Sequence, residues 1–526
     1  MQVHKLMVTH NGALKAKYGS KVSAIRKALT ALIASDRARG IVTKLVALDD
    51  AAALKRARSA AVDDASDERK TKAAIDALFT QYKPDYLVII GAQDVVPHIG
   101  LKNPMNMNGR STDDDDDEVV PSDLPYACDA PFSRQPSKFL GPTRVIGRLP
   151  DLPGATDTRY LLRLLDVAAG YRSRTRADYG SCFALSARVW ADSTRLSITN
   201  LFGADAKVWT SPQDGPNWTT TQLAPRIHFI NCHGDTLSPV FSGEGPPDTY
   251  FDAHRSPRLR KRVSEGSVVA AECCYGAELY DPAEADGIAG ICATYLDQGA
   301  YGFFGSTTIA YGPAEGNGQA DLICQYFIES VMKGASLGRA ALEARQRFIA
   351  QYSHHDPSDM KTIAQFILLG DPSIHAVREH THSFARSKSV TRGHSSGILV
   401  SSARAFRRER IMRTGANLAK SVGAAVASKG KPSKAVLALL LRAASETGLQ
   451  LPRIESWDVR FPAGALTLMS TTQISANVRA ARRSRSMHAV IGTSGPDKPG
   501  KTRTVSAIIA TVEGRKIVHI RRIHSR

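Results

Sequence analysis

Residues 41–48 (IVTKLVAL) and 85–91 (DYLVIIG) are short runs dominated by apolar side chains, whereas 22–36 and 67–82 space their apolar residues three and four apart. The first pattern predicts buried strands and the second amphipathic helices, and their alternation predicts a parallel sheet covered by helices. From about residue 158 the pattern repeats. A helix is expected at 158–172, strands near 182–190, 226–232, 267–272 and 300–305, and helices at 286–298, 319–332 and 336–351. Residues 364–369 (AQFILL) close this series at Gly370-Asp371-Pro372. The stretch 380–412, rich in Ser, Arg and His, has little apolar periodicity and reads as a linker. Beyond it come a helix at 433–446 and a hairpin, Thr504–Val512 turning at Glu513-Gly514-Arg515 into Lys516–Arg522. No internal repeat is visible. At 526 residues the chain is long for one core, and it divides into an α/β subdomain at 1–155, a second at 156–378, a basic linker at 379–412 and a basic α+β module at 413–526.

Two of the apolar runs end in reactive side chains. One is Arg226-Ile227-His228-Phe229-Ile230-Asn231-Cys232-His233-Gly234, and the other is Ser267-Val268-Val269-Ala270-Ala271-Glu272-Cys273-Cys274-Tyr275-Gly276. In open α/β sheets the carboxyl ends of the strands line one rim, where ligands gather. An imidazole and a thiol delivered to the same rim suggest a Cys/His nucleophilic pair. A cysteine or histidine on an apolar strand is, taken alone, more often core. Cys128, Cys182, Cys232, Cys292, Cys324 and His228 are read that way.

Composition narrows the class. Hydrophobic content of 43% and charged content of 23% describe a globular chain rather than a disordered one. Seven scattered cysteines do not form a disulfide framework, so a reducing, cytoplasmic compartment is expected. The N-terminus lacks an apolar signal region, and no run approaches the length of a membrane span. The formal charge of +19 looks global but is local: Glu379 to Arg526 holds 27 Lys and Arg against 7 Asp and Glu, which leaves the first 378 residues at −1.

Residues about 83–378 resemble the gingipain-type cysteine peptidases of the caspase-like clan. Five blocks carry the resemblance in order: Lys83-Pro84-Asp85-Tyr86-Leu87-Val88-Ile89-Ile90-Gly91 with Val95-Val96-Pro97; Ser122-Asp123-Leu124-Pro125-Tyr126 leading to Ile146-Gly147-Arg148-Leu149-Pro150; the histidine block; the cysteine block; and Phe366-Ile367-Leu368-Leu369-Gly370-Asp371-Pro372-Ser373. Each block alone is weak, and their order and spacing are specific. The resemblance implies caspase-like or gingipain-like parallel sheets with helices on both faces, with 156–378 as the catalytic subdomain. It also implies a cysteine endopeptidase acting on protein or peptide substrates, with no metal or organic cofactor required.

Carried over residue by residue, the resemblance makes His233 the catalytic histidine and places the oxyanion hole at the backbone N–H groups of Gly234 and the nucleophile. Such donors are worth roughly 3 kcal/mol each. Two cysteines compete for the nucleophile: caspase-type spacing selects Cys274, the preferred choice, and gingipain-type spacing selects Cys273. Side chains alternate along a strand, so both thiols cannot face the histidine. Asp192 stands near the place of the acidic residue that lines a pocket for a basic P1 side chain, and a helix N-cap is the competing role. Gly302-Phe303-Phe304-Gly305-Ser306-Thr307-Thr308, ahead of Tyr311 and Pro313, resembles the strand and pocket wall after the cysteine. No acidic residue is apparent where gingipains orient their histidine, so a dyad is expected.

The run Asp113 to Glu118 offers oxygen ligands to Ca²⁺, but without loop-spaced ligands a solvated acidic loop is preferred. Clusters at Arg404-x-x-Arg407-Arg408-x-Arg410-x-x-Arg413, Arg479-x-x-Arg482-Arg483-x-Arg485 and Arg521-Arg522 make nucleic acid or another polyanion a candidate partner of the C-terminal module. Gating by an activating protein partner is a further expectation. The competing class is a catalytically inactive peptidase fold that serves as a polyanion-binding scaffold.

Overall fold

The computed structural model describes residues 2–106, 115, 117–245, 249–313, 316–351 and 356–378, and in the C-terminal part 412, 414, 426–429, 431–446, 449–460, 485–494, 504–513 and 516–525. Its strands, in chain order, are β1 Lys5–Thr9, β2 Thr43–Ala47, β3 Tyr86–Ile90, β4 Ile99–Lys102, β5 Val119–Ser122, β6 Ile146–Leu149 and β7 Cys182–Ala187. They continue with β8 Val208–Ser211, β9 Ile227–Asn231, β10 Val240–Gly245, β11 Thr249–Arg255, β12 Val268–Ala271, β13 Gly302–Ser306, β14 Tyr311–Gly312 and β15 Phe366–Gly370. The C-terminal strands are β16 Val426–Lys429, β17 Gln450–Arg460, β18 Arg485–Ser494, β19 Thr504–Glu513 and β20 Lys516–Ser525.

The apolar runs become one ten-stranded sheet in the order β2-β1-β3-β6-β15-β13-β12-β9-β7-β8. Every neighbouring pair is parallel except β13 with β15. The two βα series therefore form two parallel halves of opposite direction, and β15, late in sequence, crosses into the first half to close the seam. Near-continuous burial of β3, β9, β12, β13 and β15 accounts for their largely apolar sequences, and β1 is buried although it begins with Lys5. The amphipathic helices Val22–Ala38 and Arg159–Gly170 pack on one another, as do Gln319–Met332 and Leu337–Gln351.

Several of the blocks singled out in the sequence mark the seam. A Cβ on Gly147 would lie 2.6 Å from the carbonyl oxygen of Gly370, so glycine lets β6 and β15 approach. Lys5 of β1 is fully buried and reaches Asp371, Asp36 at 2.9 Å and the Ser373 hydroxyl at 3.2 Å. Burial works against its charge, yet the two carboxylates outweigh that and hold its pKa above the ordinary lysine value. Arg148, also fully buried, donates to Asp123 at 2.9 Å and to the carbonyls of Gly91 and Val96. Burial alone would raise the Asp123 pKa, but Arg148 and His98 hold it well below the carboxylate range.

The C-terminal module adds an antiparallel sheet in the order β14-β20-β19-β18-β17-β16, with helix Lys434–Glu446 packed on it through Val436, Leu440 and Ala444 against Val490, Ile508 and Val512. The expected helix and hairpin are both present. Arg404, Arg407, Arg408, Arg410, Arg413, Arg479, Arg482 and Arg483 lie outside the described residues. Among the described residues no helix is long and apolar enough to cross a membrane, and no cluster of three or more His, Cys, Asp or Glu could hold a metal ion.

His228, expected to be structural, sits in the core. Its Nε2 lies 2.9 Å from the Pro225 carbonyl and its Nδ1 2.8 Å from the Tyr295 hydroxyl, which also meets His254 Nε2 at 2.8 Å. Burial lowers the His228 pKa to about 4 and, with His228 as neighbour, that of His254 to about 3. Both rings are neutral in the folded protein, whereas the unfolded chain protonates them near pH 6.5. Stability is therefore full above about pH 6.5 and declines as pH falls toward 4, by on the order of 3 kcal/mol for His228 alone. Denaturant unfolding at about pH 7 and about pH 5 should show about 2 kcal/mol of this loss, and His228→Gln should be less stable at both but with a shallower pH dependence.

Candidate active site

β9 and β12 are immediate parallel neighbours in the register Ile227↔Val268 to Ile230↔Ala271. Their carboxyl ends therefore stand side by side, and the two reactive segments leave the sheet at one rim. The Glu272 N–H still donates to the Ile230 carbonyl at 2.8 Å, so the pairing extends to the residue before the cysteines.

The two thiols then separate. Cys273 is fully buried; its sulfur accepts from the Cys232 N–H at 3.4 Å and lies 3.8 Å from the Ile230 carbonyl. Burial and the adjacent Cys232 thiol hold its pKa well above the ordinary value. Cys274 points the other way, and its Sγ accepts from the Ala310 N–H at 3.2 Å. After it the chain turns through Tyr275 at φ 53° into Gly276. This turn is stitched to the segment after β13: the Tyr275 N–H donates to the Thr308 carbonyl, the Ala277 N–H to the Ser306 carbonyl, and the Ser306 hydroxyl to the Cys273 carbonyl. Such a turn holds a side chain out at a strand end in a conformation that non-glycine residues rarely adopt.

His233 is fixed on three sides. Its Nε2 lies 2.6 Å from Glu244 Oε2, and its ring lies 4.4 Å from Trp190 and 4.8 Å, edge to face, from Tyr250. Backbone bonds between His233 and Ser242 in both directions lock the residue to β10. The sequence predicts no acidic partner for this histidine; the structure supplies Glu244, so that expectation is corrected. Glu244 escapes notice because it sits among glycines in Val240–Gly245 (VFSGEG), a segment too polar to read as a buried strand. Its alternating burial in the β10–β11 hairpin is the available signal.

The loop after His233 lies against the cysteine turn. A Cβ on Gly234 would fall 1.8 Å from the Cys274 carbonyl oxygen. Glu278 accepts from the Thr236 hydroxyl and the Leu237 N–H, both at 2.8 Å.

The two sequence-derived pocket residues have very different surroundings. Asp192 lies in the first turn of helix Ala191–Phe202 with its side chain 90% exposed, paired with Arg195 at 2.9 Å, and Trp190 holds the N-cap position. It faces solvent and neither walls an enclosed pocket nor caps the helix. Tyr311 is fully buried in β14, where its hydroxyl donates to Asp115 at 2.7 Å beneath Met105, Met487, Ala507 and Ile523. The C-terminal sheet covers it, so in this structure its side chain is packed rather than open to a cleft.

Of the acidic run, Asp113, Asp114 and Asp116 lie outside the described residues. Asp115 and Asp117 meet the buried Lys361, Asp117 at 3.1 Å, and Asp117 also accepts from the Tyr275 hydroxyl at 2.8 Å and the Ile309 N–H at 2.9 Å. An ammonium group supplies their countercharge, and they brace the turn after Cys274. All seven cysteines are free thiols; Cys182 is half-buried and the others are buried.

These positions coincide with a known protein family. Residues 233–377 match the model of Peptidase family C25. The resemblance read from the histidine, cysteine and Gly-Asp-Pro blocks is thereby borne out over that segment, and the match points to cysteine-peptidase chemistry. A solved structure titled "Structure of Protease" superposes with a TM-score of 0.46 at 11% identity, covering 99% of this chain and 97% of that one. A search of curated proteins finds no match.

The contact between Gly234 and Cys274 leaves no space for a methyl group. Gly234→Ala must push the histidine loop off the cysteine turn. We expect a stability loss of about 1–3 kcal/mol in thermal or denaturant unfolding, with a crystal structure showing the two loops parted.

Proposed function

We propose that the chain is a cysteine endopeptidase in which Cys274 is the nucleophile, His233 the general acid and base, and Glu244 the residue that positions His233. The observation that carries this reading is the delivery of His233 and Cys274 to one rim by adjacent strands. The burial of Cys273 between β9 and β12 supports the choice of cysteine, since a thiol whose pKa burial raises is a poor nucleophile.

In the proposed reaction His233 takes the thiol proton, and Cys274 Sγ attacks the scissile carbonyl carbon. The Ala310 N–H stabilises negative charge on the sulfur before attack. Backbone N–H groups of Gly234 and Cys274, held together by the close approach of their loops, receive the oxyanion. His233 then protonates the leaving amine, the acyl-enzyme forms, and a water activated by the same ring hydrolyses it. Glu244 fixes the imidazole's orientation and tautomer and offsets its charge when protonated, while Trp190 and Tyr250 hold the ring in plane. The pairing of Asp192 with Arg195 gives no support to a basic P1 preference.

Hydrolysis of a fluorogenic peptide panel differing at P1, under reducing conditions, tests the assignment. Cys274→Ala and His233→Ala should abolish turnover, while Cys273→Ala should keep it within about tenfold at a stability cost of roughly 1 kcal/mol. Retained activity in Cys274→Ala with loss in Cys273→Ala would reverse the nucleophile. Glu244→Gln should lower kcat by about ten- to a thousandfold with little change in KM, and Glu244→Asp should recover part of it.

A further inference from the structure

The segment after β13 runs past the Cys274 thiol and is then taken up by the C-terminus. Ala310 contacts Cys274 Sγ through both its N–H, at 3.2 Å, and its carbonyl, at 3.6 Å. The next two residues form β14, whose backbone pairs antiparallel with the last turn of chain in β20, Tyr311 with Ser525 and Gly312 with His524. Side chains reinforce the contact: Ile523 is fully buried beside Tyr311, Met105, Met487 and Ala507. Cys274 itself is only 4% exposed. β20 is otherwise the outer strand of the hairpin with β19, so among the described residues β14 is the strand through which the C-terminal sheet continues into the catalytic half.

An endopeptidase must hold a stretch of substrate extended beside its nucleophile. Backbone pairing with an open strand edge is the usual means, and here the backbone nearest the thiol already has a partner. We propose that β20 is an intramolecular strap that occupies the substrate-pairing edge at Tyr311–Gly312 and keeps the peptidase latent, so that activation is the release of the C-terminal strand. This rests on the peptidase function proposed above. The occupant is a segment of the chain itself, which makes gating internal in the first instance. A partner that binds the basic C-terminal module would act by drawing β20 away.

The test compares the full chain with a chain ending at Arg522, which removes the residues paired with β14 but leaves the β19–β20 hairpin through its Ile508–Arg522 pair. His524→Pro, which keeps full length and disrupts the strand, guards against a folding defect in the shortened chain, and thermal unfolding confirms that each is folded. Turnover of fluorogenic peptides should rise at least about tenfold in both variants, and a peptide of sequence KIVHIRRIHS added to the shortened chain should restore inhibition competitively with substrate. Equal turnover in the full chain and the folded variants overturns the strap and leaves the peptidase assignment intact. No turnover in any form, with Cys274 unreactive toward peptide-derived electrophiles, overturns the peptidase assignment and the strap with it.

Discussion

Everything at the candidate site depends on the parallel pairing of β9 with β12. Because the strands are in register to their last residues, the chain direction alone brings His233 and Cys274 out at a common rim, and no long side chain has to span the gap. Alternation along the strand end then decides the chemistry. One cysteine turns into the layer between β9 and β12, where burial disfavours the thiolate; the next turns toward Ala310, whose N–H donates to its sulfur. Adjacent and chemically identical residues thus acquire different roles from a rotation of the backbone. Glu244 and the Tyr275 turn refine this arrangement, but neither could act if the two strands were separated in the sheet.

The seam between the two halves supplies the rigidity that such a site needs. β13, beside β12, is also the strand that meets β15 antiparallel, so the site's support is continuous with the junction to the first half. Lys5 with Asp371, and Arg148 with Asp123, are buried ion pairs across or near that junction. Buried pairs add little net stability over an apolar equivalent, but removing one partner leaves an uncompensated charge and costs roughly 3–5 kcal/mol. Of the two, Lys5 with Asp371 joins a strand of the first half to the end of β15, whereas Arg148 with Asp123 braces the first half itself. Of the blocks at this junction, Gly370-Asp371-Pro372 lies within the segment that matches the peptidase family.

Most strands of the large sheet and the major helices are legible as apolar runs, and the reactive residues are legible because they end such runs, whereas β6 and β8 are only four residues long and carry no such signal. β1 was not read, since KLMVT is short and carries Lys5, whose buried charge is explained only by Asp36 and Asp371, distant in sequence. The β10–β11 hairpin was missed for a related reason: its glycines fit a close approach to β8, where a Cβ on Gly243 would lie 2.3 Å from Ser211, and such packing has no apolar signature. Glu244 went with it. The surroundings of Asp192 and Tyr311 are not legible in the sequence, for different reasons. Their sequence positions matched the resemblance, but the direction of Asp192 is set by the first turn of a helix, and the burial of Tyr311 is set by a sheet more than a hundred residues later in the chain.

The C-terminal sheet touches the catalytic half with little of its own backbone, and that economy bears on how a strap could be both secure and reversible. Two strand residues offer a few backbone hydrogen bonds, each worth about 0.5–1.5 kcal/mol net, and burial of Ile523 adds roughly 1.5–3 kcal/mol. The total is a few kcal/mol, enough to hold the edge closed in most molecules because the strand is tethered and its effective concentration is high. It is also small enough for a ligand of the basic module to overcome if that ligand prefers the released form by a comparable amount. A larger interface would make latency permanent, and a looser one would leave Cys274 open to any extended peptide. The charge distribution fits this division, since the excess positive charge lies in the module attached to the strap and the first 378 residues sum to −1.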